Sequence, residues 1–276
     1  MLERNSKRLG LDAEAMLFSL AVLAARRGIA SHGQTSYYNA VTESHNYCVN
    51  GTPVGVPSSV RVVVGITCAL SMVGAALIIL SYVLIKDIRS KAREILLNLS
   101  LMDFVVAAAN LIGILINFDD YLYDPGHLSA QRYRLLDNVC KAQAFFAMYS
   151  TISSILWTNC IAVYIFFHIM LEGQTKVARM ITNAFYVMSY GLPLIVNLWF
   201  VLTGKLGYSE YGSSGWCSVI VYNSATGARY PMTLIFANDI WIYLTLTLVP
   251  LIFISLKLYS RYEVSSWTSF LQCSSL

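Results

Sequence analysis

Five long apolar runs constrain this chain more than any other feature of its sequence. A helix that spans a bilayer needs about 20 apolar residues to cross about 30 Å of hydrocarbon, and each run reaches that length. The chain of 276 residues is only 12% charged, whereas a water-soluble domain carries about 25% charged residues. The sequence therefore predicts an all-α, multi-span helical membrane protein and argues against a large soluble helical domain. The helices are expected at about 62–85, 95–116, 142–170, 180–202 and 232–258.

Lysine and arginine residues are concentrated in alternate connections between these runs. Segment Lys86–Glu94 holds four basic residues among nine, Leu171–Arg179 holds two, and Lys257 and Arg261 follow the fifth run. Segment 31–59 has neither residue type. The positive-inside rule places the basic connections in the cytoplasm, so the N-terminus is predicted to be extracellular.

The regions outside the five runs divide the chain further. Residues 1–30 contain a ten-residue apolar stretch that is too short to span, which favours a signal peptide or a weakly ordered leader. Residues 31–61 form the predicted extracellular segment, in which Asn50 begins a glycosylation sequon. The bundle covers 62–262, and 263–276 is predicted to be a cytoplasmic tail.

The cysteines separate by their predicted side of the membrane. Cys140 lies at the outer mouth of the third run and Cys217 lies in the following outer loop, where disulfides persist. We expect a bond between them that restrains the loop over the bundle; unpaired thiols are the alternative.

Polar residues within the runs are the candidate functional groups. Asp103 and Asn110 are seven residues apart, so both are expected on one inward face, as a polar relay or ion site or as a satisfied polar core. Asp239, near the outer end of the fifth run, is a candidate ligand contact or the partner of a nearby Tyr or Trp. Trp157 and Asn159, in the third run, are candidate ligand contacts or contacts between helices.

Several functional classes find no support in the sequence. No catalytic set, metal-ligand motif or phosphate-binding loop stands out, so the sequence predicts no enzyme, no cofactor and no metal. The net charge of +4 is spread over short loops, and we expect no nucleic-acid partner.

Short motifs in a fixed order carry a resemblance to known proteins. They are LLNLSLMDF in the second run, SSILWT in the third, SYGLPL in the fourth, GWC in the following loop and LVPL in the fifth. Over about 62–262, the chain resembles seven-helix receptors, specifically the cyclic-AMP-receptor-like group. The Asp-Arg-Tyr triplet of rhodopsin-like receptors is absent after the third run, which reads YIFFHIM.

The resemblance implies a plasma-membrane receptor that passes an extracellular ligand signal to a heterotrimeric G protein. Asp103 would be the carboxylate of helix two, and Cys140 and Cys217 the bridge to the second outer loop. Five of the seven expected helices are present, so the chain is expected to be truncated. A non-signalling membrane partner of full-length receptors and a small transporter are the alternatives. The implied G-protein-facing residues are Lys86, Arg89, Lys91, Arg93, Lys176 and Arg179.

Overall fold

The computed structural model divides the chain into two units, Met1–Gly55 and Val56–Leu276. In the first unit, strand β1 (Cys48–Val49) pairs antiparallel with β2 (Thr52–Pro53). The predicted leader and Asn50 lie outside the described residues. The structure describes residues 48–49, 52–53, 58–85, 90–116, 130–170, 175–207, 217–220, 222–223, 228–229 and 235–273.

The second unit is built mainly from helices. The first three are α1 (Ser58–Leu84), α2 (Lys91–Leu115) and α3 (Ala130–Met170). The fourth span consists of α4 (Thr175–Tyr186), the π-helical turn π1 (Val187–Gly191) and α5 (Leu192–Leu202). The fifth begins with the π-helical turn π2 (Ile235–Asp239) and continues as α6 (Ile240–Cys273). Two antiparallel strand pairs lie between the fourth and fifth spans: β3 (Leu206–Gly207) with β4 (Ser218–Val219), and β5 (Tyr222–Asn223) with β6 (Ala228–Arg229).

Five helical segments among the described residues are long and apolar enough to cross a membrane. The predicted all-α, multi-span fold is therefore confirmed. The helix ends differ from the predicted limits, because α3 begins at Ala130 rather than near 142 and α6 continues to Cys273 rather than ending near 258. Neither extension contains Gly or Pro, so nothing in the backbone stops the helix where the apolar run stops. Residues 263–273, predicted to be part of the tail, are helical.

The start of α2 also precedes its apolar run. Ser90 is the N-cap residue, and its hydroxyl accepts a hydrogen bond from the backbone N–H of Arg93 at 3.4 Å. One turn into the helix, Lys91 Nζ donates to Glu94 Oε2 at 2.8 Å. A cap and an i,i+3 ion pair both stabilise a first helical turn, which explains why α2 begins before the first apolar residues.

A π-helical turn interrupts the fourth span directly before Pro193. Proline has no N–H to donate to the carbonyl group of Ser189, the bond that a regular α-helix would make. Ser189 lies within the wider turn π1, and α5 begins at Leu192. Pro250 lies inside α6. Pro193 therefore lies in the first turn of α5, whereas Pro250 lies in the interior of α6.

Helix α3 is the centre of the bundle. Nine consecutive residues of α3, 152–160, are all buried. In the most apolar stretch of α3, 61% of the residues are buried, whereas the same share is 11% in α1 and in α6. A helix that is buried on every side must be surrounded by the others. Two apolar clusters lie at different depths in the bundle. The disulfide-end cluster consists of Cys140, Ala144, Phe200, Leu206, Cys217, Val219 and Ala237. The Trp157 cluster, towards the opposite end, consists of Ile95, Leu99, Met102, Trp157, Cys160 and Phe185.

Candidate functional site in the polar core

Three polar side chains within two turns of α3 each contact a different neighbour. Ser154 Oγ donates to Asp103 Oδ1 of α2 at 2.8 Å. Asn159 Nδ2 donates to Thr245 Oγ1 of α6 at 3.0 Å. The Cys160 thiol lies 3.4 Å from the Ser189 hydroxyl of π1. The central helix is therefore tied by polar contacts to the second, fourth and fifth spans at similar depth.

The carboxylate of Asp103 faces α3, because its bond to Ser154 crosses from α2 to α3. Asp103 is half-buried, and so is Asn110 two turns further along α2. A hydrogen bond to an ionised group is roughly twice as strong as one between neutral groups, and leaving such a group unpaired in the bundle is costly. Ser154 is thus a stabilising partner of the carboxylate in this arrangement.

The three candidate ligand contacts do not lie together in the structure. The fully buried ring of Trp157 makes edge contacts with Tyr186 and Tyr190, at centroid distances of 5.2 and 5.4 Å. Asn159 faces α6 instead and connects two helices. Asp239 is the last residue of π2 and is half-buried. Among the described residues it has no hydrogen-bond or ion-pair partner, so a Tyr or Trp partner for it is not found there.

The disulfide end is closed by the loop that follows the fourth span. Cys140 and Cys217 are bonded, with their Cα atoms 5.3 Å apart and a separation of 77 positions in the sequence, which confirms the predicted bridge. The backbone N–H of Cys217 also donates to Gln143 Oε1 at 3.1 Å. Leu206 of β3 and Val219 of β4 are buried in the disulfide-end cluster. The covalent bond, the hydrogen bond and the apolar packing together hold this strand pair against α3 near Cys140.

The structure contains a second polar group that the sequence did not predict. It joins the first turns of α2 to the junction of α4 and π1, close to Trp157, and we call it the tyrosine cluster. Glu94 and Asn98 are one helical turn apart, and so are Tyr186 and Tyr190. That spacing was the only signal in the sequence, and it does not show that the two pairs meet. The cluster consists of Glu94, Asn98, Tyr186 and Tyr190.

The predicted G-protein-facing residues are only partly described. Lys91 and Arg93 are exposed in the first turn of α2. Lys86 and Arg89 lie outside the described residues, and so do the side chains of the two basic residues in α4, Lys176 and Arg179. No group of three or more His, Cys, Asp or Glu side chains that could hold a metal ion occurs within the described part of the chain.

Comparisons with known proteins agree on a receptor fold. The chain is similar to human G-protein coupled receptor 157, with 29% identity over 206 residues that cover 74% of this chain and 56% of the human protein. The rat protein of the same name is 29% identical over 198 residues, which cover 71% of this chain and 54% of that protein. The chain thus spans about half the length of the curated relatives it matches. Squid rhodopsin aligns with a TM-score of 0.56 at 12% identity over 79% of this chain and 58% of rhodopsin, which shows a shared fold only.

A family model settles the broader assignment. The model described as 7 transmembrane receptor (Secretin family) matches residues 58–262, which include the five segments long and apolar enough to cross a membrane. The inferred resemblance to seven-helix receptors is confirmed, while the cyclic-AMP-receptor-like subgroup stays a prediction. The chain belongs to the 7 transmembrane receptor (Secretin family).

Proposed function

We propose that this chain acts as a G-protein coupled receptor of the plasma membrane. An extracellular ligand would bias the packing of the helix bundle, and a heterotrimeric G protein would read that packing at the other side. The observation that carries this proposal is the set of polar contacts on α3, because one central helix is bonded to three other spans. A shift of any one of them changes the partners of the others, which is the coupling a receptor needs.

The proposed orientation follows the distribution of basic residues. The disulfide end faces outward, because Cys140 and Cys217 are bonded and disulfides persist in oxidising compartments. The start of α2, with exposed Lys91 and Arg93, faces the cytoplasm. Those two residues, with Lys86, Arg89, Lys176 and Arg179, are proposed to face the G protein. Asn50 is proposed to be glycosylated on the outer side.

The proposed ligand contact is Asp239. It stands at the end of π2, near the disulfide end, with no polar partner among the described residues. Trp157 and Asn159 are proposed to respond to the ligand through helix packing, since both are buried between helices. Asp103 is proposed to be a relay between two arrangements of α2 and α3, because its Ser154 bond would break if these helices slid past each other.

The decisive experiment reconstitutes the purified chain in nanodiscs with heterotrimeric G proteins of each class. Nucleotide exchange on the α subunit above that of empty nanodiscs would support the proposal. The charge-neutral variant Arg93→Gln should lower this exchange, while Arg132→Gln, which changes an exposed arginine near the disulfide end, should not. Exchange that is equal with and without the chain for every G protein would refute the receptor function for this chain.

A second candidate is a membrane partner that associates with full-length receptors. It is supported by the exposure of α1 and α6, whose most apolar windows are only 11% buried and so leave wide faces for lipid or other helices. Co-purification of this chain with a full-length receptor, without any nucleotide exchange by the chain alone, would favour this role.

A further inference from the structure

The tyrosine cluster joins two helices that the sequence does not connect. Tyr186 Oη donates to Glu94 Oε1 at 2.8 Å, and Asn98 Nδ2 donates to Tyr186 Oη at 3.1 Å. Tyr190 Oη donates to Asn98 Oδ1 at 2.7 Å. Three hydrogen bonds therefore link α2 with the junction between α4 and π1.

Contacts between aromatic rings hold the two tyrosines in place. The rings of Tyr186 and Tyr190 stack with centroids 6.2 Å apart, and the edge contacts of both rings with Trp157 bring α3 into the same group. Edge-to-face contacts between aromatic rings add stability beyond the area they bury. The hydroxyl groups are thus held by a rigid platform, and three spans meet at the cluster.

Almost every polar group of the cluster has a hydrogen-bond partner. Besides its bond to Tyr186, the amide of Asn98 donates to the backbone oxygen of Glu94 at 2.7 Å. The second carboxylate oxygen of Glu94 accepts from Lys91. The four side chains are half-buried, and losing one partner leaves other polar groups without a hydrogen bond at a cost. The hydrogen bonds of the cluster are therefore expected to form and break together.

The turn π1 couples the cluster to the centre of the bundle. Tyr190 reaches Asn98 of α2, while Ser189, the residue before it, is buried against Cys160 of α3. Single π turns inside helices are frequent at functional sites. Movement of this turn away from α2 would therefore also disturb its contact with the Cys160 thiol.

We propose that the tyrosine cluster is a latch that holds the start of α2 against the fourth span and fixes the position of Lys91. Glu94 connects the two, since one carboxylate oxygen binds Tyr186 and the other binds Lys91. Opening the latch frees the first turn of α2 from α4 and moves the basic residues of that turn. The identity of the partner that meets those residues rests on the proposed receptor function; the latch itself does not.

The test measures alkylation of the native Cys160 thiol by N-ethylmaleimide in nanodiscs, followed on the Cys160 peptide by mass spectrometry. Cys160 is 6% exposed, so reaction in the parent chain is expected to be slow. Tyr186→Phe removes one hydroxyl and keeps the ring, and it should raise the alkylation rate about three- to tenfold. Tyr190→Phe should do the same. Tyr243→Phe is the matched control, because Tyr243 is 67% exposed on α6, and its rate should equal that of the parent.

An unchanged rate in both Tyr186→Phe and Tyr190→Phe would overturn the latch. The Cys140–Cys217 bond, measured without reductant, reports whether each variant has folded. If both variants fail to form it, the cluster is needed for assembly and is not a separable latch, so the proposal fails as well. Glu94→Gln retains an acceptor for Tyr186 and should stay close to the parent, whereas Glu94→Ala should behave like Tyr186→Phe.

Addition of a nucleotide-free G protein separates this proposal from the receptor function. Faster alkylation in the parent chain on addition would link latch opening to the partner. If the tyrosine variants accelerate alkylation while no G protein changes the parent, the latch stands and the proposed receptor function is the part that fails.

Discussion

The bond between Ser154 and Asp103 can be tested with a control in the adjacent position. Ser153 and Ser154 are both buried and lie at nearly the same depth in α3. Ser154 Oγ donates to the Asp103 carboxylate, whereas Ser153 Oγ has no hydrogen-bond partner among the described residues. Changing each serine to alanine removes one hydroxyl and raises helix propensity equally, so these contributions cancel in the difference between the two variants.

The expected magnitudes follow from the two environments. Hydrogen bonds to charged groups contribute about 1.5–3 kcal/mol in soluble proteins, while bonds between transmembrane helices average about 0.6 and reach about 1.7 kcal/mol. We therefore expect Ser154→Ala to lower the free energy of unfolding by about 1–2 kcal/mol. Ser153→Ala removes a buried hydroxyl that has no partner, so it should leave stability unchanged or raise it slightly.

The measurement is equilibrium unfolding of the purified chain in mixed micelles with increasing SDS fraction. The stabilising role assigned to this bond is refuted if Ser154→Ala is no more destabilising than Ser153→Ala. A double-mutant cycle refines the result: in an Asp103→Asn background the coupling to Ser154 should fall to about half, because the acceptor is then neutral.

Three further predictions follow from other contacts. Cys217→Ser should lower stability by about 2–4 kcal/mol and expose a reactive thiol on the third span, detected by maleimide labelling. Thr245→Val should weaken the contact between α3 and α6, and it should cost little more when Asn159→Leu is already present, as measured by the same SDS titration. Gly204→Ala should destabilise by about 1 kcal/mol, because Gly204 has a φ of 64°; Gly74→Ala, within α1 with open space around it, should not.

The fold could be predicted because each span is a local property of the sequence. The number of apolar residues needed to cross hydrocarbon is fixed by the bilayer, and the backbone there must be hydrogen-bonded within its own segment. The helix ends were less predictable, because they depend on caps and on residues that interrupt a helix rather than on hydropathy. Ser90 caps α2 before the second apolar run begins. Helix α6 continues beyond the end of the fifth apolar run to Cys273.

Parts of the candidate site were predictable for a similar reason. The Cys140–Cys217 bond followed from placing both residues on one side of the membrane. The expectation that Asp103 faces inward rests on the cost of a charge in lipid. The sequence did not show which neighbouring helices Trp157 and Asn159 contact. The third run is apolar or weakly polar around its whole circumference, so its sequence does not show which side meets which neighbour.

The tyrosine cluster could not be predicted for the same reason, because the sequence does not show which helix faces meet. Asn98 and Tyr190 are 92 residues apart, and nothing in either run shows that the two residues meet. In a water-soluble protein the apolar stripe of a helix indicates its inward face, but lipid is as apolar as the protein core and gives no such stripe. The rotation of each helix must then be set by small residues and polar partners.

The polar contacts of α3 therefore matter more for the arrangement of the helices than their number suggests. Ser154, Asn159 and Cys160 point to three different neighbours, and each contact fixes the rotation of α3 relative to one of them. Moving one neighbour breaks a bond to α3, and α3 can rotate to restore it only by straining the other two. Exchange of apolar residues of similar volume around the bundle should therefore be tolerated. Loss of a polar partner on α3 should instead alter how the spans are arranged. Under the proposed receptor function, these positions are where binding of a ligand at one end of the bundle would change the helix packing at the other.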